Sequence, residues 1–305
     1  MKILFVTHYF FPHIGGVEKH VYEVARSLER RGNSVTIVTE KFDKKLKDTE
    51  IINGIKVVRF FYPHIKLIGL KFIWWQIFKN RKLIQAADVV HIHDVFVWYL
   101  PFRFLYPNNK VFTTIHGLEW KNPLSKMSIW QKRLADKLST KTVGVGDFLE
   151  KYLKIRFDLI TYGAAILICF NLVKRRNLIV YVGRLEENTG LLKFLDWLKI
   201  NPEYQVDFCG DGELKIQCKK FGKVHGFIDP TQFLKRAEYC VPAGYLAALE
   251  ALSYKCKLKL FWSDKVKEDY WKMSPFVREN VNVWAKTQTW SKLANEYLNL
   301  YHSIK

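Results

Sequence analysis

The chain has 305 residues, enough for one large or two medium domains, and 49% of them are hydrophobic, which suits a substantial folded core. Lys and Arg (49) outnumber Asp and Glu (29), so the formal net charge is +20 and an anionic partner is expected: nucleic acid, a membrane surface or a phosphorylated ligand. We find no secretory signal and no window with the roughly 18 uninterrupted apolar residues of a membrane span, and the five scattered cysteines favour reduced thiols over a disulfide framework or a zinc site. These features lead us to expect a cytoplasmic protein.

The first forty residues predict a βαβ unit. An apolar segment at residues 3–7 leads into a loop with the pair Gly15-Gly16, then a helical pattern, then a second apolar segment at residues 34–39. Glycines between a strand and a helix let a ligand approach the backbone, and the first N–H groups of the helix favour an anion. The loop is therefore a candidate phosphate cradle. It lacks Gly-x-Gly-x-x-Gly, however, and a tight turn without a ligand explains it equally well.

Strands and helices continue to alternate along the chain, and the pattern restarts after residue 176. Further strands are expected at residues 55–60, 87–93, 110–115 and 142–145, and in the second half at 177–183, 204–210, 223–227, 239–241 and 257–262. Helices are expected at residues 127–138, 190–200, 232–237, 244–253 and 287–303. This order predicts two α/β halves, each a doubly wound parallel sheet that binds its ligand at the carboxyl ends of the strands, joined near residues 160–176.

His91, His93 and Asp94 form a group that looks like a set of metal ligands. We expect the two histidines to face opposite sides of their strand and therefore not to pair. No Asp-x-Asp motif stands before a glycine-rich loop either. The sequence therefore implies no metal cofactor.

Seven segments in order along the chain resemble group 1 glycosyltransferases, the retaining family with the GT-B fold. They are the Gly15-Gly16 start, DVVHIHD at 88–94, IHG at 115–117, VGRLEENTG at 182–190, FCGDGEL at 208–214, VHGFI at 224–228 and GYLAALEAL at 244–252. The resemblance implies two Rossmann-like domains facing a cleft, with a C-terminal helix that crosses back to the first domain. The expected domains are an acceptor-side domain at 1–160, a nucleotide-sugar-binding domain at 161–286 and the C-terminal helix at 287–305.

The resemblance also implies site residues. His116 would lie beside the transferred sugar, Arg184 would hold the donor diphosphate, and Glu250 would bind the ribose hydroxyls. These three are the candidate catalytic residues. The implied donor-binding residues are Gly15, Gly16, Arg184, Thr189, Gly226, Phe227, Ile228, Tyr245, Leu246 and Glu250. From the residues alone, Arg184 could instead form an ion pair with Glu186 or Glu187, and His116 could be a buried histidine satisfied by the backbone.

Two positions depart from the family pattern. Thr189 stands where the family usually has a second diphosphate-binding lysine, and Pro242 stands where it usually has a glutamate that contacts the donor sugar. The family's two missing side chains are both polar contacts with the donor. A catalytically degenerate relative that binds a nucleotide or a sugar is therefore an alternative.

The segment at residues 62–83 mixes aromatic residues with cations, which is typical of proteins at an anionic membrane interface. Its candidate membrane or acceptor residues are Lys66, Lys71, Trp74, Trp75, Lys79, Arg81 and Lys82. A core helix whose lysines reach out to solvent explains the pattern almost as well. Nucleic-acid binding fits the charge too, but no nucleic-acid-binding motif accompanies it, so no nucleic-acid partner is expected.

We therefore expect a retaining glycosyltransferase, cytoplasmic and peripheral to the membrane, that moves a hexose from a nucleotide-diphosphate sugar to a glycan or lipid-linked acceptor hydroxyl. No cofactor is implied, since the nucleotide sugar is a substrate. Besides the degenerate relative, the alternatives are another GT-B enzyme, such as a nucleotide-sugar epimerase, and a basic nucleic-acid binder.

Overall fold

The computed structural model of the chain describes residues 1–65, 68–118, 124–166 and 172–303. The chain forms two compact units. Unit 1 comprises Met1–Thr161 together with Trp290–Lys305, and unit 2 comprises Tyr162–Thr289.

Unit 1 is built on a sheet of eight strands in the order β3-β4-β2-β1-β5-β6-β7-β8. Only β3 is antiparallel to its neighbour. The strands are β1 (Lys2–Thr7), β2 (Ser34–Glu40), β3 (Thr49–Ile52), β4 (Ile55–Phe60), β5 (Val89–His93), β6 (Lys110–Ile115), β7 (Lys141–Val145) and β8 (Leu159–Thr161). The central strands β1, β5 and β6 are buried almost throughout, as expected of a parallel sheet covered on both faces.

In the described part of unit 1, six helices lie between these strands. They are α1 (Gly16–Glu29), α2 (Ile68–Lys79), α3 (Lys82–Gln85), α4 (Phe96–Leu105), α5 (Lys126–Leu138) and α6 (Phe148–Leu153). The apolar side chains of α1 at Val21, Val24, Ala25 and Leu28 recur at helical spacing, and all four are fully buried.

Unit 2 is built on a smaller sheet of five parallel strands in the order β11-β10-β9-β12-β13. The strands are β9 (Arg175–Val182), β10 (Gln205–Cys209), β11 (Gly222–Val224), β12 (Ala237–Pro242) and β13 (Lys257–Leu258). The helices are α7 (Leu191–Lys199), α8 (Lys215–Cys218), α9 (Thr231–Arg236), α10 (Tyr245–Ser253), α11 (Lys265–Lys272) and α12 (Val281–Thr287).

The last helix, α13 (Trp290–His302), belongs to unit 1 and packs against α1. The expectation that the C-terminal helix returns to the first domain is confirmed. In the part of the chain that the structure describes, no helix is long and apolar enough to cross a membrane.

Each sheet has a point at which the strand order reverses. In unit 1 the chain runs outward from β1 on one side and returns to add β5 on the other, and in unit 2 it runs outward from β9 and returns to add β12. The loops after two such strands leave in opposite directions and open a crevice where α/β proteins bind their ligands. The topology therefore directs attention to the loops after β1 and β5, and to those after β9 and β12.

The expected α/β class, with two parallel doubly wound sheets, is confirmed. Two local differences have a physical cause. Strand β3 was not expected because its four residues form an edge strand without a buried face, held only by antiparallel pairing with β4 across the Asn53-Gly54 turn. Strand β13 has two residues rather than the expected six, since it pairs with β12 only at Lys257 and Leu258.

Candidate active site

The carboxyl ends of β5 and β6 bring His116 into contact with His93. The two strands are parallel neighbours, with His93 at the end of β5 and His116 directly after β6. Nδ1 of His93 lies 3.0 Å from Nε2 of His116. The backbone N–H of His116 donates to Oδ1 of Asp94 at 3.0 Å, and Nζ of Lys132 donates to the same oxygen at 3.3 Å. The backbone and the ring of His116 are therefore both held.

Four histidines gather here, and we call His20, His91, His93 and His116 the histidine cluster. The rings of His91 and His93 stack with centroids 4.7 Å apart. Our expectation that these two residues face opposite sides was wrong, because residues two apart on a strand point to the same face. His20, from the second turn of α1, lies edge-on to His116 with ring centroids 4.8 Å apart.

The C-terminal helix α13 completes this cluster through two tyrosines. Nδ1 of His91 is hydrogen bonded to the Tyr301 hydroxyl at 2.5 Å, and its Nε2 to Oγ1 of Thr114 at 2.7 Å. The Tyr297 hydroxyl lies 3.1 Å from the same Thr114 oxygen and 3.0 Å from Nε2 of His20. A continuous chain of hydrogen bonds thus runs from α13 through the sheet to the helix after the Gly15-Gly16 loop.

Burial lowers the pKa of all four histidines below the ordinary value of 6.5, because there is little water to solvate an imidazolium. The pKa of His91 falls to about 3. For His116, burial is the largest cause; Asp94 opposes it and Lys132 adds to it. The cluster is therefore neutral at physiological pH and works through oriented hydrogen bonds.

The glycine pair before α1 has two different structural roles. Gly15 has an extended backbone with φ −170°, and a Cβ there would run into the carboxylate of Glu18, which pairs with Nδ1 of His13 at 2.7 Å. At Gly16, no atom of the described residues beyond its chain neighbours and its own helix backbone lies within 4 Å of an added Cβ. Space for a ligand therefore exists at Gly16, the first residue of α1.

In unit 2, Arg184 lies two residues beyond the end of β9, in the loop that opens the crevice. Its side chain is 55% exposed and pairs with the carboxylate of Glu186 at 2.9 Å. The ion pair that the sequence offered as an alternative therefore exists. Because the guanidinium remains more than half exposed, a bound anion could still reach it.

Thr189 is buried within the turn that Arg184 begins. Its hydroxyl donates to the carbonyl of Glu186 at 2.6 Å and accepts from the Tyr181 hydroxyl at 2.9 Å. Tyr181 Oη also lies 2.8 Å from the carbonyl of Arg184. The only proton of the Thr189 hydroxyl is thus used inside the protein, where it stabilises this turn.

The start of α10 lies next to Arg184 along the sheet edge. Gly244 caps the helix in an extended conformation, and the backbone N–H of Tyr245 donates to the Tyr270 hydroxyl at 2.7 Å. The Tyr245 ring is buried and stacks on Tyr270 with centroids 3.8 Å apart, so this side chain is part of the core. Leu246 and Glu250 are half-buried on the same helix.

Gly226, Phe227 and Ile228 follow β11 at the same edge of the sheet. Gly226 has φ +75°, in the left-handed region that favours glycine, and it bridges to Gly210. Phe227 and Ile228 are exposed. An exposed aromatic ring on a glycine turn offers a flat surface for a planar ligand.

Lys267, a buried lysine of α11 in this region, was not predicted from the sequence. Its Nζ donates to the carbonyl of Ala243 at 2.7 Å and lies 4.0 Å from the centroid of the Tyr270 ring. Burial, and then the nearby charge of Arg184, lower its pKa to about 7. No motif identifies Lys267, because it comes from a helix far along the chain. Tyr297 was missed for the same reason. His20 was also missed, although it follows the Gly15-Gly16 pair closely and the helical spacing of the buried face of α1 includes position 20.

Helix α2 has one face in the core and the other in solvent. Trp74 is half-buried, and its Nε1 donates to the carbonyl of Val97 at 2.8 Å. Trp75 is 49% exposed, with Nζ of Lys79 lying 3.7 Å from its ring centroid. The remaining described cations of the set, Lys71, Arg81 and Lys82, are exposed, and Lys66 lies outside the described residues. The buried face of α2 therefore fits the interpretation as a core helix, and its exposed face fits the interpretation as a membrane-interface segment.

Over residues 1–65, 68–118, 124–166 and 172–303, no three His, Cys, Asp or Glu side chains are arranged to hold a metal ion. The four described cysteines, Cys209, Cys218, Cys240 and Cys256, are buried free thiols.

Comparison with known proteins shows a similarity to glycosyltransferases. Residues 14–162 match the model of Glycosyltransferase Family 4. The GPI3 subunit of the phosphatidylinositol N-acetylglucosaminyltransferase of Saccharomyces cerevisiae is 28% identical over 145 residues, which cover 44% of this chain and 30% of that protein. The chain thus spans under a third of the length of this curated relative.

Solved structures resemble the whole chain. A sucrose-phosphate synthase from Thermosynechococcus elongatus superposes with a TM-score of 0.75 at 13% identity, covering 99% of this chain and 98% of that one. Anabaena HepE, solved in complex with UDP and glucose, superposes with a TM-score of 0.72 at 14% identity over 100% of both chains. The resemblance to the GT-B glycosyltransferases is therefore confirmed, by the family model that matches residues 14–162 and by the fold of the whole chain.

Proposed function

We propose that this protein is a retaining glycosyltransferase that moves a hexose from a nucleotide-diphosphate sugar to a hydroxyl of a glycan or lipid-linked acceptor. The observation that carries the proposal is the position of Arg184 and the first turn of α10. Both lie at the carboxyl edge of the unit 2 sheet, just after β9 and β12, the two strands at which the strand order reverses. A guanidinium beside a helix N-terminus suits a diphosphate leaving group.

In this proposal, residues of unit 2 hold the diphosphate and the nucleoside of the donor. Arg184 binds the diphosphate, the backbone at Leu246 caps it, Glu250 binds the ribose, and the turn at residues 226–228 receives the base. When protonated, Lys267 supplies the second positive charge that Thr189 lacks, and a bound diphosphate would favour that protonated form. Its position on the Ala243 carbonyl, just before α10, supports that role. The reaction then depends on electrostatic stabilisation of the departing diphosphate rather than on a metal.

Unit 1 supplies the acceptor side. His116 would contact the transferred sugar, and the open space at Gly16 would admit the ligand that approaches the start of α1. The exposed face of α2, with Trp75 beside Lys79, would hold the protein at an anionic membrane surface on the cytoplasmic side.

Nucleotide binding tests the donor site. We expect one of UDP, GDP, UDP-glucose, UDP-GlcNAc and GDP-mannose to stabilise the protein in calorimetry and thermal unfolding, and Arg184→Ala to weaken that binding at least tenfold. Arg176→Ala is the matched control, because Arg176 is an exposed arginine at the opposite end of the same strand. Equal losses in both variants, or no binding by any nucleotide, would contradict the proposal.

Vesicle sedimentation tests the membrane surface. Lys79→Gln with Lys82→Gln should reduce binding to vesicles rich in phosphatidylglycerol, whereas Lys199→Gln with Lys257→Gln, which removes the same charge from exposed positions of unit 2, should not. If the two double variants lose vesicle binding equally, net charge alone accounts for the binding.

A second candidate function is nucleotide binding without transfer. The Thr189 hydroxyl is engaged inside the protein, and Pro242 provides no carboxylate. Binding of a nucleotide sugar without release of its nucleoside diphosphate, in the presence of membrane extracts as the source of acceptor, would favour this candidate.

A further inference from the structure

We propose that His93 is a positioning residue: it donates its Nδ1–H to Nε2 of His116 and so fixes His116 in the tautomer that carries its proton on Nδ1. The use of that N–H in catalysis rests on the proposed function. The assignment of the tautomer does not, because it follows from the contacts of His93 alone.

One proton lies between Nδ1 of His93 and Nε2 of His116. The two nitrogens lie 3.0 Å apart, a hydrogen-bond distance, so one ring donates and the other accepts. Both rings are buried enough that their pKa values fall below the ordinary range, and both are therefore neutral near pH 7. Each neutral ring carries a single proton, so the direction of this hydrogen bond decides where both protons lie.

The surroundings of His93 decide the direction. Within the described part of the chain, its Nε2 is buried and has no hydrogen-bond partner. If His116 donated, the proton of His93 would have to lie on that Nε2, leaving a buried N–H without an acceptor, which is rare and unfavourable in folded proteins. If His93 donates, its proton is used in the contact and only a lone pair remains unpaired. The second arrangement is the favoured one.

The packing of His93 keeps this arrangement in place. Its ring stacks on His91 with centroids 4.7 Å apart and lies edge-on to Phe5 at 5.0 Å. His91 is in turn held by Tyr301 of α13 and by Thr114. The His93 ring therefore cannot turn to exchange its two nitrogens without disturbing the cluster.

The consequence concerns the second nitrogen of the His116 ring, Nδ1. With Nε2 accepting from His93, Nδ1 carries the proton and is the ring nitrogen that can donate to a ligand. His116 then serves as a neutral hydrogen-bond donor to a sugar oxygen rather than as a general base. A fixed donor of this kind favours a single orientation of the bound sugar.

The test is the long-range ¹H–¹⁵N spectrum of the histidine rings in the full-length protein, with His116→Gln used to assign the signals. We expect the wild-type ring of His116 to be protonated on Nδ1. His93→Asn places an amide donor close to the position of Nδ1 and should retain this tautomer, whereas His93→Leu removes the donor and should shift protons to Nε2.

A wild-type His116 protonated on Nε2 would overturn the inference, and this measurement needs no variant to fold. So would an unchanged tautomer in a folded His93→Leu protein. Once an acceptor substrate is identified, His93→Leu should lower the kcat of transfer about tenfold or more, whereas the kcat of His93→Asn should stay near that of the wild type. Protonation of Nδ1 in a protein without transfer activity would support the positioning role and remove only the proposed function.

Discussion

Replacing Lys267 with methionine should change how the stability of the protein depends on pH. The lysine has a pKa of about 7 in the folded protein and an ordinary value of 10.5. Between these two values the unfolded chain binds about one more proton than the folded chain, so the free energy of unfolding rises with pH. A lysine with a lowered pKa therefore destabilises the fold most below pH 7, and this penalty is relieved as the pH rises toward 10.5.

The magnitude follows from the size of this window. One proton is worth about 1.4 kcal/mol for each pH unit, so from about pH 7.5 to about pH 9.5 the wild type should gain about 2.5 kcal/mol from this residue. The side chain is only 3% exposed, so water screens this effect little. Methionine fills a similar volume but cannot titrate, so the variant lacks this gain.

Urea unfolding at a series of pH values measures the effect. From about pH 7.5 to about pH 9.5, the unfolding free energy of the wild type should rise by about 2.5 kcal/mol relative to that of Lys267→Met. Lys272→Met, which removes an exposed lysine from the same helix, should stay parallel to wild type. Parallel curves for Lys267→Met as well would refute the assignment of a buried lysine that loses its proton near neutral pH.

Three further outcomes are expected. Gly183→Ala should lower the unfolding free energy by about 2 kcal/mol or more, because Gly183 has φ +145° and a Cβ there would collide with the side chain of Ala243; an unchanged melting temperature would contradict this. Tyr297→Phe should cost about 1–3 kcal/mol by removing the hydrogen bonds to His20 and Thr114, as measured by urea unfolding; a smaller loss would mean that water replaces them. Acid should destabilise the protein below about pH 6.5, because the neutral, buried histidine cluster gains protons only on unfolding; replacing His91 with leucine should flatten this slope by up to about 1.4 kcal/mol per pH unit, and a slope equal to wild type would show that His91 is not responsible.

Most of the strands, and helices such as Gly16–Glu29, could be predicted because their signals are local. The buried strand at Val89–His93 is continuously apolar or imidazole-bearing, and the helix at Gly16–Glu29 repeats its apolar residues every three or four positions. The edge strand Thr49–Ile52 gave no such signal, because its existence depends on the strand beside it.

The candidate site was only partly predictable. His116 and Arg184 follow strands and belong to recognisable segments, so the sequence could single them out. The groups that surround them come from elsewhere in the chain. His93, which contacts His116, lies on a neighbouring strand; Tyr297, which contacts His20, lies on the last helix; and Lys267 lies on a helix packed against the start of α10.

The sequence by itself determined the α/β class, the repeated halves and the positions where each strand gives way to a loop, because hydrophobic periodicity and turn residues act over a few neighbouring positions. Tertiary structure alone decided that the imidazoles of His91 and His93 stack, that the Thr189 hydroxyl is engaged within its own turn, and that the ammonium of Lys267 is buried on the Ala243 carbonyl. Burial and hydrogen-bond partners set the protonation state of the imidazoles and the lysine and the partners of the hydroxyl. Both depend on how distant parts of the chain pack together, so a local sequence pattern does not reveal them.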